Sequence, residues 1–388
     1  MTQDARTPPV LRLGFRPFFL AAGLWSIAAI VLWLPLWEGH IALPTGFDPL
    51  AWHIHEMLFG YAAAVVAGFL LTAIPNWTGR LPLAGPPLAV LVAFWLAGRI
   101  AVTLSERIGP EAAALIDLSF PALFLAIVAR EILAGRNWRN LPMTFALAAL
   151  LVANAAMHGE ALGLTDSGAF GQRLGLATLI LLIGLVGGRV VPSFTRNWLV
   201  KRGETATPPG FGGFDRAAIA LMLAGLLAWT AWPDAIASGA LLVAAGLVSL
   251  VRLARWRGHR TLAEPLVWSL HLGFAWVPAG LLLTGLAPLT GISAAAGAHA
   301  LGAGAIGAMT LAVMTRASLG HSGRPLAADR MTTALYLLVH LAAGLRVGAA
   351  FAETAMQPLL VAATAAWLGA FGLFVWRYGP LLLVPGKR

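Results

Sequence analysis

Twelve apolar stretches, each long enough to cross a lipid bilayer as a helix, occupy most of this 388-residue chain and constrain its fold more than any other feature. A spanning helix needs roughly 20 mostly apolar residues. The sequence meets that need near 17–37, 55–75, 86–104, 112–133, 141–160, 172–192, 214–232, 236–252, 263–286, 293–315, 331–352 and 356–378. Only 11% of residues are charged, where a soluble domain carries about 25%. That is too few to cover a water-facing surface, so lipid must cover it. The expected fold is all-α, a polytopic membrane protein forming a single transmembrane domain over 1–388. The first apolar run follows Arg12 and Arg16 and lacks a small-residue cleavage pattern. It therefore reads as the first span and not as a signal peptide.

The basic residues orient the spans. With the N-terminus placed in the cytoplasm, every Lys and Arg except Arg99, Arg107, Arg173 and Arg346 falls in or beside a cytoplasmic segment. The outer connections hold mostly acids, among them Glu38, Asp48, Glu106, Asp166 and Glu353. This is a positive-inside distribution, and an odd number of spans would scramble it. The expected location is the bacterial cytoplasmic membrane, with both termini inside. The net charge of +10 is then a matter of topology, and nucleic acid is not an expected partner.

Three spans end alike. The second ends Pro75-Asn76-Trp77-Thr78-Gly79-Arg80, the sixth Pro192-Ser193-Phe194-Thr195-Arg196-Asn197, and the tenth Met314-Thr315-Arg316. Repeats ending near 80, 197 and 316 predict three four-helix units around a pseudo-threefold axis. These ends also gather Asn, Thr and Ser beside the arginines, a pattern that suits a cytoplasmic-side anion or propionate site.

An ionisable group inside a span is costly, which makes each one a site candidate. His53, His55 and Glu56 sit together at the start of the second span. Residues two apart on a regular helix point about 200° apart. His53 and His55 therefore serve two centres, or share one if the helix begins irregularly. Glu56 beside them is the candidate catalytic residue, as a proton carrier or as a group that orients a ligand. His299 lies among the glycines 297, 302, 304 and 307. Small residues permit close helix packing, and they also permit a flat macrocycle to lie against the helix with the histidine as its axial ligand. His271 is flanked by Trp268, Phe274 and Trp276. His158 and His340 are further metal-ligand candidates, or bond carbonyls of neighbouring helices. Arg99 and Asp117 fall at matching depth on successive spans and predict an ion pair. Arg346 suits a haem propionate, or Glu56, or snorkels outward. Met309 and Met314 are more simply packing than copper ligands.

With no cysteine in the chain, thiolate metal sites and covalent c-type haem are excluded. There is no phosphate-binding loop and no dinucleotide-binding glycine motif. Fifteen Trp and eighteen Phe suit interface anchoring and the lining of a large apolar cofactor.

Four segments in order carry a family resemblance: Trp52-His53-Ile54-His55-Glu56-Met57-Leu58-Phe59-Gly60-Tyr61, Pro75-Asn76-Trp77-Thr78-Gly79, Gly187-Gly188-Arg189-Val190-Val191-Pro192-Ser193-Phe194-Thr195-Arg196-Asn197, and Met314 to Arg324. Over nearly its whole length the chain resembles the NnrS family, haem- and copper-containing membrane proteins linked to nitric oxide, denitrification and nitrosative stress. The architecture is also similar to the core subunit of haem–copper oxidases and nitric oxide reductases, where histidines on helices two and ten bind haem and those on six and seven bind the second metal. Here spans two and ten keep histidines, while spans six and seven have none. The resemblance therefore implies b-type haem, one or two, with His55 and His299 as first ligands and His53 and His271 after them. It implies copper less strongly, because any second centre must be built elsewhere, for example from His53, His158 or His271. The implied function is binding of nitric oxide and its reduction or detoxification, with a quinol or another electron donor. A non-enzymatic haem sensor or protective protein and a metal or anion transporter are the alternatives.

Overall fold

The computed structural model describes residues 7–385. The regular structure among them is helical throughout, and twelve helices are long and apolar enough to cross a membrane. They are α1 (Phe15–Trp37), α2 (Pro49–Thr78), α3 (Pro86–Thr103), α4 (Pro110–Ala134), α5 (Trp138–Ala161), α6 (Gly168–Lys201), α7 (Gly213–Ala231), α8 (Ile236–Arg255), α9 (Pro265–Thr290), α10 (Ala294–His321), α11 (Arg330–Ala349) and α12 (Glu353–Leu383). Each coincides with one apolar stretch of the sequence, and the chain is a multi-pass membrane protein by this measure. Its outward faces agree: Leu115 and Trp376 are 74% and 75% exposed, a placement that lipid accepts and water penalises.

Local signals set the helix ends. Pro49, Pro86, Pro110 and Pro265 open their helices, where the missing N–H has no partner to lose. The Asp48 carboxylate accepts from the amides of Leu50 at 2.9 Å and Ala51 at 3.0 Å. This cap starts α2 ahead of its apolar run, so His53 and His55 lie inside the helix and not at its first residue. Gly79, at φ 69°, closes α2 in a left-handed conformation that L side chains avoid.

Helices α2, α6 and α10 each contain a π-helical segment, at Glu56–Ala62, Ile183–Gly187 and Ala300–Gly307. A π turn holds one extra residue and rotates the later part of the helix relative to the earlier part. These are the helices with similar ends in the sequence, and we propose that the shared irregularity reflects three related four-helix repeats.

The described chain divides into two compact units, residues 7–178 with 317–324 and 375–385, and residues 179–316 with 325–374. In the first, the Phe15 amide donates to Thr72 Oγ1 at 3.1 Å, tying α1 to α2. Arg16, buried, donates through Nη1 to the carbonyls of Leu381, Leu382 and Val384 at 3.2, 3.2 and 2.6 Å. A cation there satisfies the last carbonyls of α12 and complements its dipole. In the second unit, α8 and α9 cross at Gly239 and Gly285. A Cβ on either would stand 2.6 Å from the other's carbonyl oxygen, so only glycine lets the backbones approach this closely. Gly285→Val should destabilise this unit by about 1–3 kcal/mol through overpacking. Thermal unfolding in detergent reads it, and an unchanged midpoint would contradict the close crossing.

Candidate functional site

In the first unit, α2 presents its two histidines to different surroundings. The His53 ring stacks on Trp33 of α1, centroids 4.3 Å apart and planes 29° apart. His55 turns into the protein interior, where the π segment begins with Glu56. Gly60, within that segment, makes room for the carboxylate: a Cβ there would lie 2.8 Å from Glu56 Oε2 and 2.6 Å from Trp25 Nε1. The Gly60 carbonyl also accepts from Trp95 Nε1 of α3 at 3.0 Å.

Four helices contribute to one buried polar cluster. His55 Nδ1 lies 3.0 Å from Glu56 Oε1. Its Nε2 lies 2.8 Å from Asn154 Oδ1 and 3.3 Å from Asp117 Oδ2. Arg99 of α3 donates through Nη1 to both Glu56 oxygens, each at 2.8 Å, and pairs through Nη2 with Asp117 Oδ1 of α4. From α5, Asn154 Nδ2 donates to Asp117 Oδ2 at 2.8 Å, and His158 Nε2 lies 3.0 Å from that same oxygen. None of the six is more than 4% exposed. Phe47 closes the cluster, its ring centroid 5.0 Å from His55 and 5.4 Å from His158. Gly98 lets α3 reach α4, since a Cβ there would lie 2.6 Å from Asp117 Oδ1. Two carboxylates face one guanidinium, so with both imidazoles neutral the cluster is short of one positive charge, and a buried unpaired charge is costly.

The remaining histidines of interest lie in the second unit. His299 Nδ1 is 2.7 Å from the Ala295 carbonyl oxygen. Only an N–H can bond a carbonyl, so Nδ1 carries the proton and Nε2 the free lone pair. Beside it, a Cβ on Gly302 would meet nothing within 4 Å. His340 Nδ1 accepts from Trp276 Nε1 at 3.0 Å, and its Nε2 is buried with no partner among the described residues. His271 Nε2 lies 2.7 Å from Thr195 Oγ1, and its Nδ1 is likewise unpartnered. Arg346 is half-buried on α11, in the same unit as His299. Met309 is buried against Gly273, whose Cβ position lies 3.0 Å from its sulfur. Two basic residues near the C-terminal ends of α6 and α10 have structural partners: Arg196 donates to the Pro208 carbonyl at 2.7 Å, and Arg316 lies 3.8 Å over the Phe194 ring.

The structure thus joins His158 to His55 and Glu56, which the sequence already set side by side. It adds the expected Arg99–Asp117 pair to them and gives Glu56 Arg99 as its cation. Asn154 went unnoticed in the sequence. Its one signal is an amide in an apolar helix, one turn before His158, where i and i+4 side chains are neighbours.

The family model described as NnrS protein matches residues 9–385. No curated protein and no solved structure matches the chain.

Proposed function

The chain belongs to the NnrS family, and from that premise we propose that it is a haem protein of the bacterial cytoplasmic membrane that binds nitric oxide and removes it by reduction. The observation that carries the haem assignment is His299. The 2.7 Å bond from Nδ1 to Ala295 fixes its tautomer and ring and leaves Nε2 free, the atom that would ligate a haem iron. The open space at Gly302, on the following turn, is what a flat macrocycle beside that nitrogen requires. The residues present fit a b-type haem held by His299, with Arg346 as cation for a propionate.

When bound, the haem supplies an iron position open to a diatomic gas and one-electron redox chemistry. Reducing two molecules of nitric oxide to nitrous oxide and water takes two electrons and two protons. One N–N bond forms and one N–O bond breaks. The electrons come from a quinol or another membrane donor. His340, with Nδ1 fixed by Trp276, offers its unpartnered Nε2–H as a hydrogen-bond donor in the same unit. Glu56 is bound on both oxygens by Arg99. Such a clamp fixes a carboxylate in place, so its part here is to orient His55 and not to ferry protons. His55 is fully buried in the polar cluster, with Phe47, Asn154 and Asp117 against its ring, so His299 would be the residue that holds a haem iron.

Purified full-length protein tests this by absorption spectra, oxidised, reduced, and reduced with nitric oxide, together with pyridine haemochrome quantification. The expected result is a b-type spectrum that shifts with nitric oxide, and loss of one haem equivalent in a monodisperse His299→Ala variant. Sustained consumption of nitric oxide at an electrode, with reductant present, supports reduction. Binding without consumption overturns the enzymatic part in favour of a sensor or protective protein. A colourless protein after expression with ample haem overturns the proposal and favours transport.

A further inference from the structure

The polar cluster has more acceptors than protons to share. If His55 Nδ1 donates to Glu56, its Nε2 bears a lone pair. That lone pair faces Asn154 Oδ1 at 2.8 Å and Asp117 Oδ2 at 3.3 Å. The Asn154 amide nitrogen is committed to Asp117 at 2.8 Å, so its oxygen is what His55 meets. His158 brings a further imidazole nitrogen to the same Asp117 oxygen at 3.0 Å. With neutral imidazoles, atoms with lone pairs converge in a volume closed to water, and either a further proton on His55 or a metal ion must lie among them.

We propose that His55 Nε2, His158 Nε2 and Asp117 Oδ2 bind one divalent first-row transition-metal ion, at a centre separate from the haem. Ligand spacing supports this. Bonds of about 2.0–2.1 Å in tetrahedral geometry set ligand atoms about 3.3 Å apart. The two imidazole nitrogens stand 3.3 and 3.0 Å from the carboxylate oxygen, and the three ligand atoms all lie within 4.8 Å of one another. The supports around them are those a metal site uses. Glu56 orients His55 through Nδ1, Arg99 holds the other Asp117 oxygen, and Arg99 also clamps Glu56. Such outer carboxylates fix the ring and raise ligand basicity. Two imidazoles and a carboxylate, without thiolate, suit zinc, copper(II) or iron(II). A cation also removes the deficit left by two carboxylates against one guanidinium. Three protein ligands leave a fourth position, beside Asn154 Oδ1.

This assignment rests on the cluster alone and stands or falls apart from the haem. Because the site is buried, the ion enters during folding in the cell. The probe is zinc, supplied in the growth medium, with the full-length protein purified in detergent and stripped of loose metal on a chelating resin. Elemental analysis should find one zinc per chain. Zinc-edge X-ray absorption should find two imidazoles and oxygen at about 2.0–2.1 Å. His158→Gln and Asp117→Asn should lose at least tenfold in occupancy, and Glu56→Gln should weaken binding about 10–100-fold. His299→Ala should lose haem and keep its zinc. Wild-type protein without a first-row metal beyond its haem iron, or zinc without imidazole ligands, would overturn the proposal and leave the cluster closed by a shared proton. The wild-type X-ray absorption spectrum decides the matter even if the variants fail to fold.

Discussion

Arg99→Met will destabilise the protein by about 3–5 kcal/mol, the range for removing one partner of a buried ion pair. Arg99 is 1% exposed and faces two carboxylates, Glu56 and Asp117, that are both 0% exposed. Methionine preserves apolar bulk and removes five N–H donors and the charge. Glu56 would lose two 2.8 Å bonds, and Asp117 would lose the partner of its Oδ1. Neither can turn to water. The expected readout in detergent is a large fall in the thermal midpoint and in the monodisperse fraction. Arg99→Lys keeps the charge, yet a point ammonium cannot bridge two carboxylates as the planar fork does, so it should fall between the two. Combining Arg99→Met with Glu56→Gln and Asp117→Asn removes the stranded charges and should recover most of the loss. A single Arg99→Met variant as stable as wild type would show that the cluster does not depend on its cation.

Arg252→Leu should have an effect of similar size, about 3–5 kcal/mol, in the second unit. The sequence places Arg252 among the basic residues of the cytoplasmic face. In the folded chain it is 0% exposed. Its Nε donates to Asp215 Oδ1 at 2.9 Å and its Nη1 to the Gly184 carbonyl at 2.9 Å, within the π segment of α6. Asp215 is 5% exposed, and its other oxygen accepts from the Gly212 amide at 3.1 Å at the start of α7. Leucine would strand both the carboxylate and the π-segment carbonyl. Asp215→Asn keeps a neutral acceptor for Arg252 and should unfold at a higher temperature than Arg252→Leu. Gly188→Ala offers an independent check, because a Cβ there runs into the Arg252 guanidinium. If Arg252→Leu melts with wild type, α6, α7 and α8 are held together by apolar packing alone.

These two arginines show where sequence reading reaches its limit. Arg252 sits at the end of an apolar stretch and next to other basic residues, so topology explained it fully. Arg99 was legible as a partner of Asp117, since both stand out at matching depth in apolar spans. Its hold on Glu56 was not, because Glu56 lies on α2 with no spacing rule linking it to α3. Nor was Asn154, whose only mark was one amide in an apolar helix.

The sequence by itself determined the twelve spans, their all-helical character and the short list of polar residues that must have partners. The reason is local. In lipid each helix satisfies its own backbone hydrogen bonds, so length and apolarity suffice to find it. Only the tertiary structure decided that His55 meets Asn154 and not a residue near it in sequence, across 99 positions. Side-chain pairing depends on how each helix is rotated at its crossings, and the π segment beginning at Glu56 shifts that rotation within α2. That phase change sits where α2 packs on Trp25 of α1 and Trp95 of α3 at Gly60, and it leaves no periodic trace in the chain.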